Sequence, residues 1–341
     1  MPREEAWKRY RTVLWTGLGL VLLVTYFSLT HGVMEMTARD VLKTLLRIDP
    51  VRRYDLLILE FRLPRIVTAG LVGAALGVAG AAIQGIIRNG LADPGILGIN
   101  SGAGVGIVTY IVFFQEKIAG TGWLAVMAMP FCGLMGGLGA ALLIYYLARQ
   151  NGRLDPQRLL LTGIAVSSGL GAVILYVTLK MSSGDFQMAA IWLAGSVDKA
   201  NWRQLAALLP WLGILIPLLI RKAQLLDVFQ LEESSVRSLG VAAEKEKAFF
   251  LLSAVGLVGA CVSVAGGIGF VGLIAPHMAR RLAGIAHRRM IPVSGMLGML
   301  LVISADWIAR TLFAPAEIAV GIIISLIGAP YFIYLLFTAK A

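Results

Sequence analysis

Charged residues and cysteines are scarce in this sequence. Asp, Glu, Lys and Arg together make up 14% of the 341 residues, 58% are apolar, and the mean hydropathy is +0.81. These values exclude the ordinary soluble globular class and indicate an integral membrane protein. The two cysteines, Cys132 and Cys261, lie in apolar segments without a nearby Cys or His. We therefore expect them to serve packing, not a metal or redox site.

Several signatures of chemistry are also missing. No G-x-x-x-x-G-K-[ST] phosphate-binding loop occurs, and no polar stretch could hold a soluble core, so we expect any ATP-hydrolysing module to be a separate chain. The three histidines and the acidic residues form no cluster of the kind that a membrane-embedded enzyme requires. Basic residues outnumber acidic ones by 30 to 19, but no basic run is interleaved with aromatics, which excludes a nucleic-acid groove.

Long apolar segments dominate what is present. A spanning helix needs roughly 20 apolar residues, because a helix rises about 1.5 Å per residue and the hydrocarbon layer is about 30 Å thick. We predict an all-α integral membrane protein, with residues 1–341 in a single transmembrane domain and an uncleaved first span. The ten predicted spans are 12–30, 64–88, 98–114, 123–148, 157–179, 205–220, 249–265, 269–283, 291–312 and 317–337.

The distribution of basic residues predicts the orientation. With both termini in the cytoplasm, 18 of the 30 Lys and Arg lie in inner segments and 12 outside. This agrees with the positive-inside rule, although the first outer loop, residues 31–65, alone holds seven basic residues. We therefore expect the basic residues of this loop to have a specific role.

Two glycine-rich features stand out. The second span contains Gly73-x-x-x-Gly77, which predicts close packing against another helix, since small residues let backbones approach in lipid. Between the second and third spans lies RNGLADPGILGINSGAG at 88–104. Irregular backbone at membrane depth requires protein or a water-filled cavity around it, so this run predicts a protected re-entrant turn, with a simple loop as the alternative.

Six runs in one order resemble the FecCD-type permeases, the membrane subunits of ATP-driven importers for ferric siderophores, haem and cobalamin. They are FRLPRIVTAGLVGAALGVAGAAIQ at 61–84, RNGLADPGILGINSGAG at 88–104, SVRSLGV at 235–241, AGGIGFVGLIAPHMAR at 265–280, SADWIAR at 304–310 and EIAVGIIISLIGAPYFIYLL at 317–336.

The resemblance covers nearly the whole chain and implies a fold and partners. The fold is the cobalamin-importer-like permease of type II ABC importers, with ten transmembrane helices. The implied partners are a second permease subunit, identical or different, two cytoplasmic ATPase subunits that bind ATP and magnesium, and an extracytoplasmic substrate-binding protein. This chain is then expected to bind no cofactor or metal itself, and to lie in the cytoplasmic membrane of a prokaryote.

Residues 221–247 form the longest inner loop in this arrangement. The pattern favours two short amphipathic helices broken at Gly240, with Leu231, Val236 and Leu239 toward protein; a fully solvated loop is the alternative. In the FecCD-type permeases the matching segment couples the permease to the ATPase. The resemblance implies that the contact residues are Ser238, Leu239, Gly240 and Val241.

Three arginines lie at predicted outer ends of spans: Arg62 and Arg65 around the start of the second, and Arg310 at the end of the ninth. Their ordinary role would be snorkelling to the interface. The resemblance implies instead that they receive glutamates of the binding protein, which suits the two parallel hydrogen bonds of a guanidinium. Asp306, one helical turn before Arg310, is expected to pair with it.

The resemblance also implies a cytoplasmic gate. Asn89 and Leu91, in the re-entrant run, occupy the position of one gate element, and Pro156 with Gln157, between the fourth and fifth spans, that of a second.

We conclude from the sequence that the chain is one half of an importer pore that passes a ferric siderophore inward. Cobalamin or haem is the alternative cargo. An ion-coupled secondary transporter is a further alternative, but it would need ionisable residues at midspan, and Asp306 and Glu317 lie near the outer end. For His277, a lone histidine in the eighth span, we expect packing, not proton relay or metal binding.

Overall fold

A computed structural model describes residues 3–32, 36–48, 51–115, 117, 122–150, 153–314 and 316–338. These residues are almost entirely helical. The α-helices are α1 Arg3–Thr30, α2 Ala38–Leu45, α3 Arg52–Asp55, α4 Leu63–Ile87, α5 Ile99–Phe113, α6 Trp123–Ala148, α7 Pro156–Thr178, α8 Ser183–Ala194, α9 Trp202–Val228, α10 Glu233–Ser238, α11 Ala243–Ala265, α12 Val271–Ala283, α13 His287–Thr311 and α14 Val320–Thr338. Strands β1 Arg149–Gln150 and β2 Arg153–Leu154 form an antiparallel hairpin before α7.

Eight helices are long and apolar enough to cross a membrane, which confirms the predicted all-α membrane class. Two of the predicted spans are shorter: α5 has 15 residues and α12 has 13. At about 1.5 Å per residue they rise about 22 Å and 20 Å, short of the about 30 Å hydrocarbon layer. The count of ten spans therefore stays a prediction.

Helices α4 and α13 pack against each other at the centre of the bundle. A Cβ on Gly73 would lie 2.2 Å from the carbonyl oxygen of Gly298, and one on Gly77 would lie 2.3 Å from that of Ser294. Ser294 Oγ donates a hydrogen bond of 2.7 Å to the carbonyl of Gly77. The glycines of the second span thus serve close helix packing, as the sequence predicts.

The re-entrant run is a buried turn. Residues Pro94–Leu97 form a short 3-10 helix between α4 and α5, and Leu97 is 2% exposed. Pro94 presses on the first turn of α12, since a Cβ on Gly272 would lie 2.5 Å from the Cδ of Pro94. The irregular backbone is therefore covered by protein at the depth where α12 begins.

The first outer loop is more helical than the sequence analysis predicts. It contains α2, α3 and a π-helix, Leu56–Arg62. The helices α3, the π-helix and α4 follow one another without a break, and together they form one continuous helix over Arg52–Ile87. Pro64 is the second residue of α4, in the turn that follows the π-helix. Because a proline ring clashes with the carbonyl four residues earlier in a regular α-helix, the wider π turn accommodates it.

Helix α8 is not predicted from the sequence. Its C-terminal end meets the glycine-rich connection between α11 and α12, where a Cβ on Gly266 would lie 2.1 Å from the carbonyl oxygen of Trp192. Gly321 at the start of α14 donates its backbone N–H to Gly195 at 2.9 Å. Three segments far apart in sequence therefore cross here within the bundle.

Candidate docking, gate and coupling sites

Arg65, in the first turn of α4, is the centre of an ion cluster. Its Nε donates to Oδ1 of Asp306 in α13 at 2.8 Å, and its Nη1 donates to Oε2 of Glu317, before α14, at 2.8 Å. The Arg65 and Asp306 side chains are 9% and 1% exposed, whereas that of Glu317 is 40% exposed. The predicted Asp306–Arg310 ion pair is also present, with Arg310 Nε 3.2 Å from Oδ2 of Asp306.

The other two arginines hold the C-terminal end of α1. Arg62 donates from Nη1 to the carbonyl of Leu29, and Arg310 donates from Nη2 to the carbonyl of Ser28 at 3.2 Å and to its hydroxyl oxygen. The last carbonyls of a helix have no partners within the helix and carry partial negative charge. The guanidiniums therefore neutralise that end.

The structure thus brings together all three arginines predicted for docking, but within the protein. As whole residues, Arg62, Arg65 and Arg310 are 5%, 8% and 6% exposed. The most accessible charged group of this cluster is Glu317, which is not among the site residues predicted from the sequence. The sequence does carry one signal for it. Glu317 is the first residue of the run EIAVGIIISLIG and stands directly before an apolar span.

The predicted coupling segment is largely helical. Helix α9 continues to Val228 and α11 begins at Ala243, so the non-helical parts of 221–247 are two short connections around α10. Val236 is 2% exposed and faces the core as predicted, whereas Leu239 is 60% exposed and Leu231 46%.

Gly240 breaks the chain between α10 and α11. It has φ +73°, in the left-handed region, and a Cβ on it would meet nothing within 4 Å. Leu239 and Gly240 are exposed, whereas Val241 is partly buried against the core. Ser238 Oγ donates to the carbonyl of Ser235 at 2.8 Å, which closes the last turn of α10. Among the four predicted contact residues, Leu239 therefore presents an exposed apolar side chain.

This segment is braced against the bundle. Lys222 Nζ in α9 lies 2.6 Å from Oε2 of Glu246 in α11 and 4.4 Å from the ring centroid of Phe249. Arg88, at the end of α4, donates to the carbonyl of Leu231 at 2.7 Å. The connection between α9 and α10 is therefore hydrogen-bonded to the end of α4, where the predicted gate begins.

Pro156 and Gln157 line a cavity of about 880 Å³. Its other walls come from the β-hairpin and from the ends of α4 and α11 that face it. They are Ile86, Ile87, Arg88, Gln150, Leu154, Asp155, Glu244 and Lys247. Asp155 caps α7 by accepting the N–H groups of Gln157 and Arg158, and Glu244 Oε2 accepts the N–H of Leu154 at 3.0 Å. The segment of the predicted second gate element is therefore hydrogen-bonded to the first turn of α11.

Asn89 and Leu91 lie at the start of the re-entrant turn. Asn89 Oδ1 accepts the backbone N–H of Leu91 at 2.9 Å, and the Leu91 side chain packs against the cluster formed by Leu273, Ile274 and Leu335. Leu91 therefore lies against a cluster that α12 and α14 build, and neither Asn89 nor Leu91 lines the cavity of Pro156 and Gln157. The structure brings Arg88, next to Asn89, to that cavity instead.

A buried polar network lies behind this turn. Gln84 in α4 donates from Nε2 to the carbonyl of Ala92 at 3.3 Å and accepts at Oε1 from Arg280 Nη2 at 3.4 Å. Asp93 accepts the N–H of Gly95 at 2.9 Å, and burial raises the pKa of the Asp93 carboxyl to about 6 despite that hydrogen bond.

The described residues contain no group of three His, Cys, Asp or Glu that could hold a metal ion. The His277 ring contacts that of Tyr331, with 5.9 Å between centroids, which fits the expected packing role. Cys132 and Cys261 are free thiols, and Cys261 is buried.

Three comparisons identify relatives. Residues 20–338 match the model of the FecCD transport family. The chain is 52% identical over 323 residues to the iron-uptake system permease protein FeuC of Bacillus subtilis, covering 95% of this chain and 96% of that protein. It is 45% identical over 321 residues to the iron(3+)-hydroxamate import system permease protein FhuG of the same organism, covering 94% and 95%.

A solved structure described as an inward-facing conformation of a metal-chelate type ABC transporter superposes with a TM-score of 0.82. Its sequence identity is 27%, and the match covers 96% of this chain and 99% of the other. This confirms the ABC-importer permease fold that the resemblance implies. The chain belongs to the FecCD transport family.

Proposed function

We propose that this chain is a permease subunit of an ATP-driven importer and that its cargo is a ferric siderophore. The observation that carries the proposal is the match over nearly the full length to two permeases, at 52% and 45% identity, whose names specify iron uptake and iron(3+)-hydroxamate import. The chain itself moves its cargo without bond chemistry, and ATP with magnesium is bound and hydrolysed by two cytoplasmic partner subunits.

A second permease subunit completes the pathway. Support comes from α7, a membrane-length helix that is mostly unburied in the single chain. Small residues follow one another along its exposed face: Ala165, Ser168, Gly169 and Ala172. Such a stripe allows another helix to approach closely in lipid. Identical and different partners both fit this face.

The segment at 235–241 couples the permease to the ATPase. Leu239 offers an exposed apolar contact, and the Gly240 turn fixes how it projects. Movement of α10 would reach the inner end of α4 through Leu231, which precedes α10 and accepts a hydrogen bond from Arg88. ATP-driven movement at Leu239 would thereby bias Asn89, Leu91, Pro156 and Gln157 between open and closed arrangements of the inner gate.

The cluster around Arg65 receives an extracytoplasmic binding protein. Arg62, Arg65 and Arg310 provide three positive charges at one place, against the negative charges of Asp306 and Glu317. A carboxylate of the partner would compete with Glu317, which is the exposed member, for Arg65. This end of α4 then faces outward, which places both termini in the cytoplasm of a prokaryotic cell, and the chain in its cytoplasmic membrane.

An ion-coupled secondary transporter is the alternative mechanism, and cobalamin or haem the alternative cargo. Asp306 favours the importer, because it forms ion pairs with Arg65 and Arg310. It therefore offers no free carboxylate for a coupling ion.

Uptake of radiolabelled iron tests the proposal. Cells with and without this gene receive iron as hydroxamate or catecholate siderophores, and labelled haem and cobalamin in parallel. We expect loss of one ferric siderophore class, and an equal loss when the partner ATPase is inactivated. Loss of cobalamin or haem uptake alone would overturn the cargo, and uptake that survives without the ATPase would overturn the mechanism.

A further inference from the structure

An apolar groove of about 680 Å³ opens between α1, α4, α9 and α13. Helix α1 contributes residues that lie along one face of the helix: Arg11, Leu14, Trp15, Leu18 and Val21. The opposite walls are apolar, with Val78 of α4, Ile216 of α9 and Met299 of α13 among them. Arg11 is the single charged residue of the lining, and it lies at one end.

The groove has the length of one membrane leaflet. From Arg11 to Val21 the helix advances ten residues, or about 15 Å, which is half of the about 30 Å hydrocarbon layer. Since the predicted first span begins at residue 12, we expect the groove to begin at the level of the lipid headgroups and to end near the middle of the bilayer. An extended hydrocarbon chain anchored by a headgroup has this shape.

A second, more polar cavity of about 560 Å³ adjoins the charged end. It is lined by Lys8, Arg11, Thr12, Trp15 and Thr16, and so shares Arg11 and Trp15 with the groove. The side chains of Lys8 and Arg11 are exposed and form no ion pair within the residues that the structure describes. Trp15 is 70% exposed, which suits an indole at the membrane interface.

Close packing beside the groove fixes the position of α1. A Cβ on Gly17 would lie 2.1 Å from the Cε and Sδ atoms of Met296, so α1 is pressed against α13 at this point. Leu14 and Leu18, on either side of Gly17, line the open groove. The contact between Gly17 and Met296 thus forms one boundary of the groove.

We propose that this groove and the adjoining cavity form a binding site for one anionic glycerophospholipid of the leaflet at the N-terminal end of α1. The phosphate lies between Lys8 and Arg11, since a guanidinium donates two parallel hydrogen bonds to phosphate oxygens. One acyl chain lies along Leu14, Leu18 and Val21. Lys and Arg next to the end of a transmembrane span attract anionic headgroups in this way. The lipid then occupies the space between α1 and α9.

Native mass spectrometry of the full-length purified chain tests this site, with phosphatidylglycerol and phosphatidylcholine of the same acyl chains as probes. We expect the first lipid site to bind phosphatidylglycerol at least about fivefold more tightly. The double variant Lys8→Gln/Arg11→Gln should remove this preference. The matched control Arg158→Gln/Lys245→Gln also removes two exposed basic residues, but neither lines the groove or the adjoining cavity, and it should keep the preference.

A second variant tests the acyl chain. Ala74→Leu places a larger side chain in the groove wall and should weaken both lipids equally, severalfold, with the preference between them unchanged. Glycerol phosphate, which lacks acyl chains, should not compete. Equal affinity of the wild-type chain for the two lipids would overturn the proposal. So would a preference that survives in the Lys8/Arg11 double variant, or a loss that is the same in the control.

Discussion

Arg65 and Asp306 are joined by a 2.8 Å hydrogen-bonded ion pair although 241 residues separate them. Both side chains are buried, and the pair ties the start of α4 to α13. Since Asp306 also faces Arg310, one carboxylate compensates two buried cations. At this end of the bundle, Asp306 is therefore the buried acidic residue that two arginines share, and Glu317 is a second, more exposed partner of Arg65.

Replacement of Asp306 should be strongly destabilising. Asp306→Asn leaves two buried guanidiniums with less compensating charge, and removal of one partner of a buried pair costs about 3–5 kcal/mol. Thermal unfolding of the purified chain measures this. The control is Glu317→Gln, which breaks the more exposed pair with Arg65 and should cost about 0–1 kcal/mol. Equal losses in the two variants would contradict the assignment of Asp306 as the central residue.

The same Glu317→Gln variant makes a prediction about docking. If Glu317 competes with carboxylates of the binding protein for Arg65, its neutralisation should tighten association with that protein severalfold, most strongly at low salt. Surface plasmon resonance of the permease complex across ionic strengths measures this. Arg65→Gln should have the opposite effect. A binding constant that Glu317→Gln leaves unchanged at all salt concentrations would remove Glu317 from the docking site.

The α4–α13 contact predicts a contrast between two glycines. Gly73→Ala should destabilise the chain by about 1–3 kcal/mol, because overpacking forces two helices apart at the carbonyl of Gly298. Gly213→Ala, in α9, meets nothing within 4 Å and should be neutral or stabilise by up to about 1 kcal/mol. Midpoints of thermal unfolding compare the two. A Gly73→Ala variant as stable as Gly213→Ala would refute the close contact.

These contrasts show what the sequence could and could not predict. Hydropathy locates the membrane-length helices, because length and apolar content decide a span, and small residues mark the α4–α13 contact. Hydropathy does not locate the short or irregular elements. Helix α8 is only 12 residues long, and the π-helix before Pro64 is set by a local backbone clash that hydropathy does not register.

The arginine cluster shows a similar limit. The four-residue spacing of Asp306 and Arg310 predicts their pairing, since it follows from helix geometry within α13. The stronger hydrogen-bonded partner, Arg65, comes from another helix and is brought close only by the packing of the bundle. The sequence names the arginines but gives no sign that they are buried.

Gly240 tests the coupling segment. A β-branched residue at φ +73° is strained by about 1–2 kcal/mol, although space for a side chain exists. Gly240→Val should therefore turn Leu239 away and reduce siderophore uptake at least about tenfold, with normal abundance in the membrane. Gly240→Asn is the matched control, because asparagine tolerates this backbone conformation and should retain most uptake. Normal uptake by Gly240→Val would refute the coupling role.

Asp93 makes stability depend on pH. In the folded chain its pKa is about 6, above the ordinary value of 3.8, so the folded state holds the proton more tightly than the unfolded state does. Stability should therefore fall as pH rises from about 4 to 6 and stay lower above that range. One pKa unit corresponds to about 1.4 kcal/mol, and since Asp93 keeps some exposure to water we expect a loss of about 1–3 kcal/mol.

Asp93→Asn isolates this effect, because an amide oxygen can still accept the N–H of Gly95 but does not ionise. The variant should match the wild type near pH 3.5, where the carboxyl is mostly protonated in both states, and unfold at a higher temperature at pH 7.5. The difference between the two proteins at each pH removes the contribution of every other titrating group. A difference that is constant from pH 3.5 to 7.5 would show that Asp93 ionises normally, and that the turn between α4 and α5 is open to water.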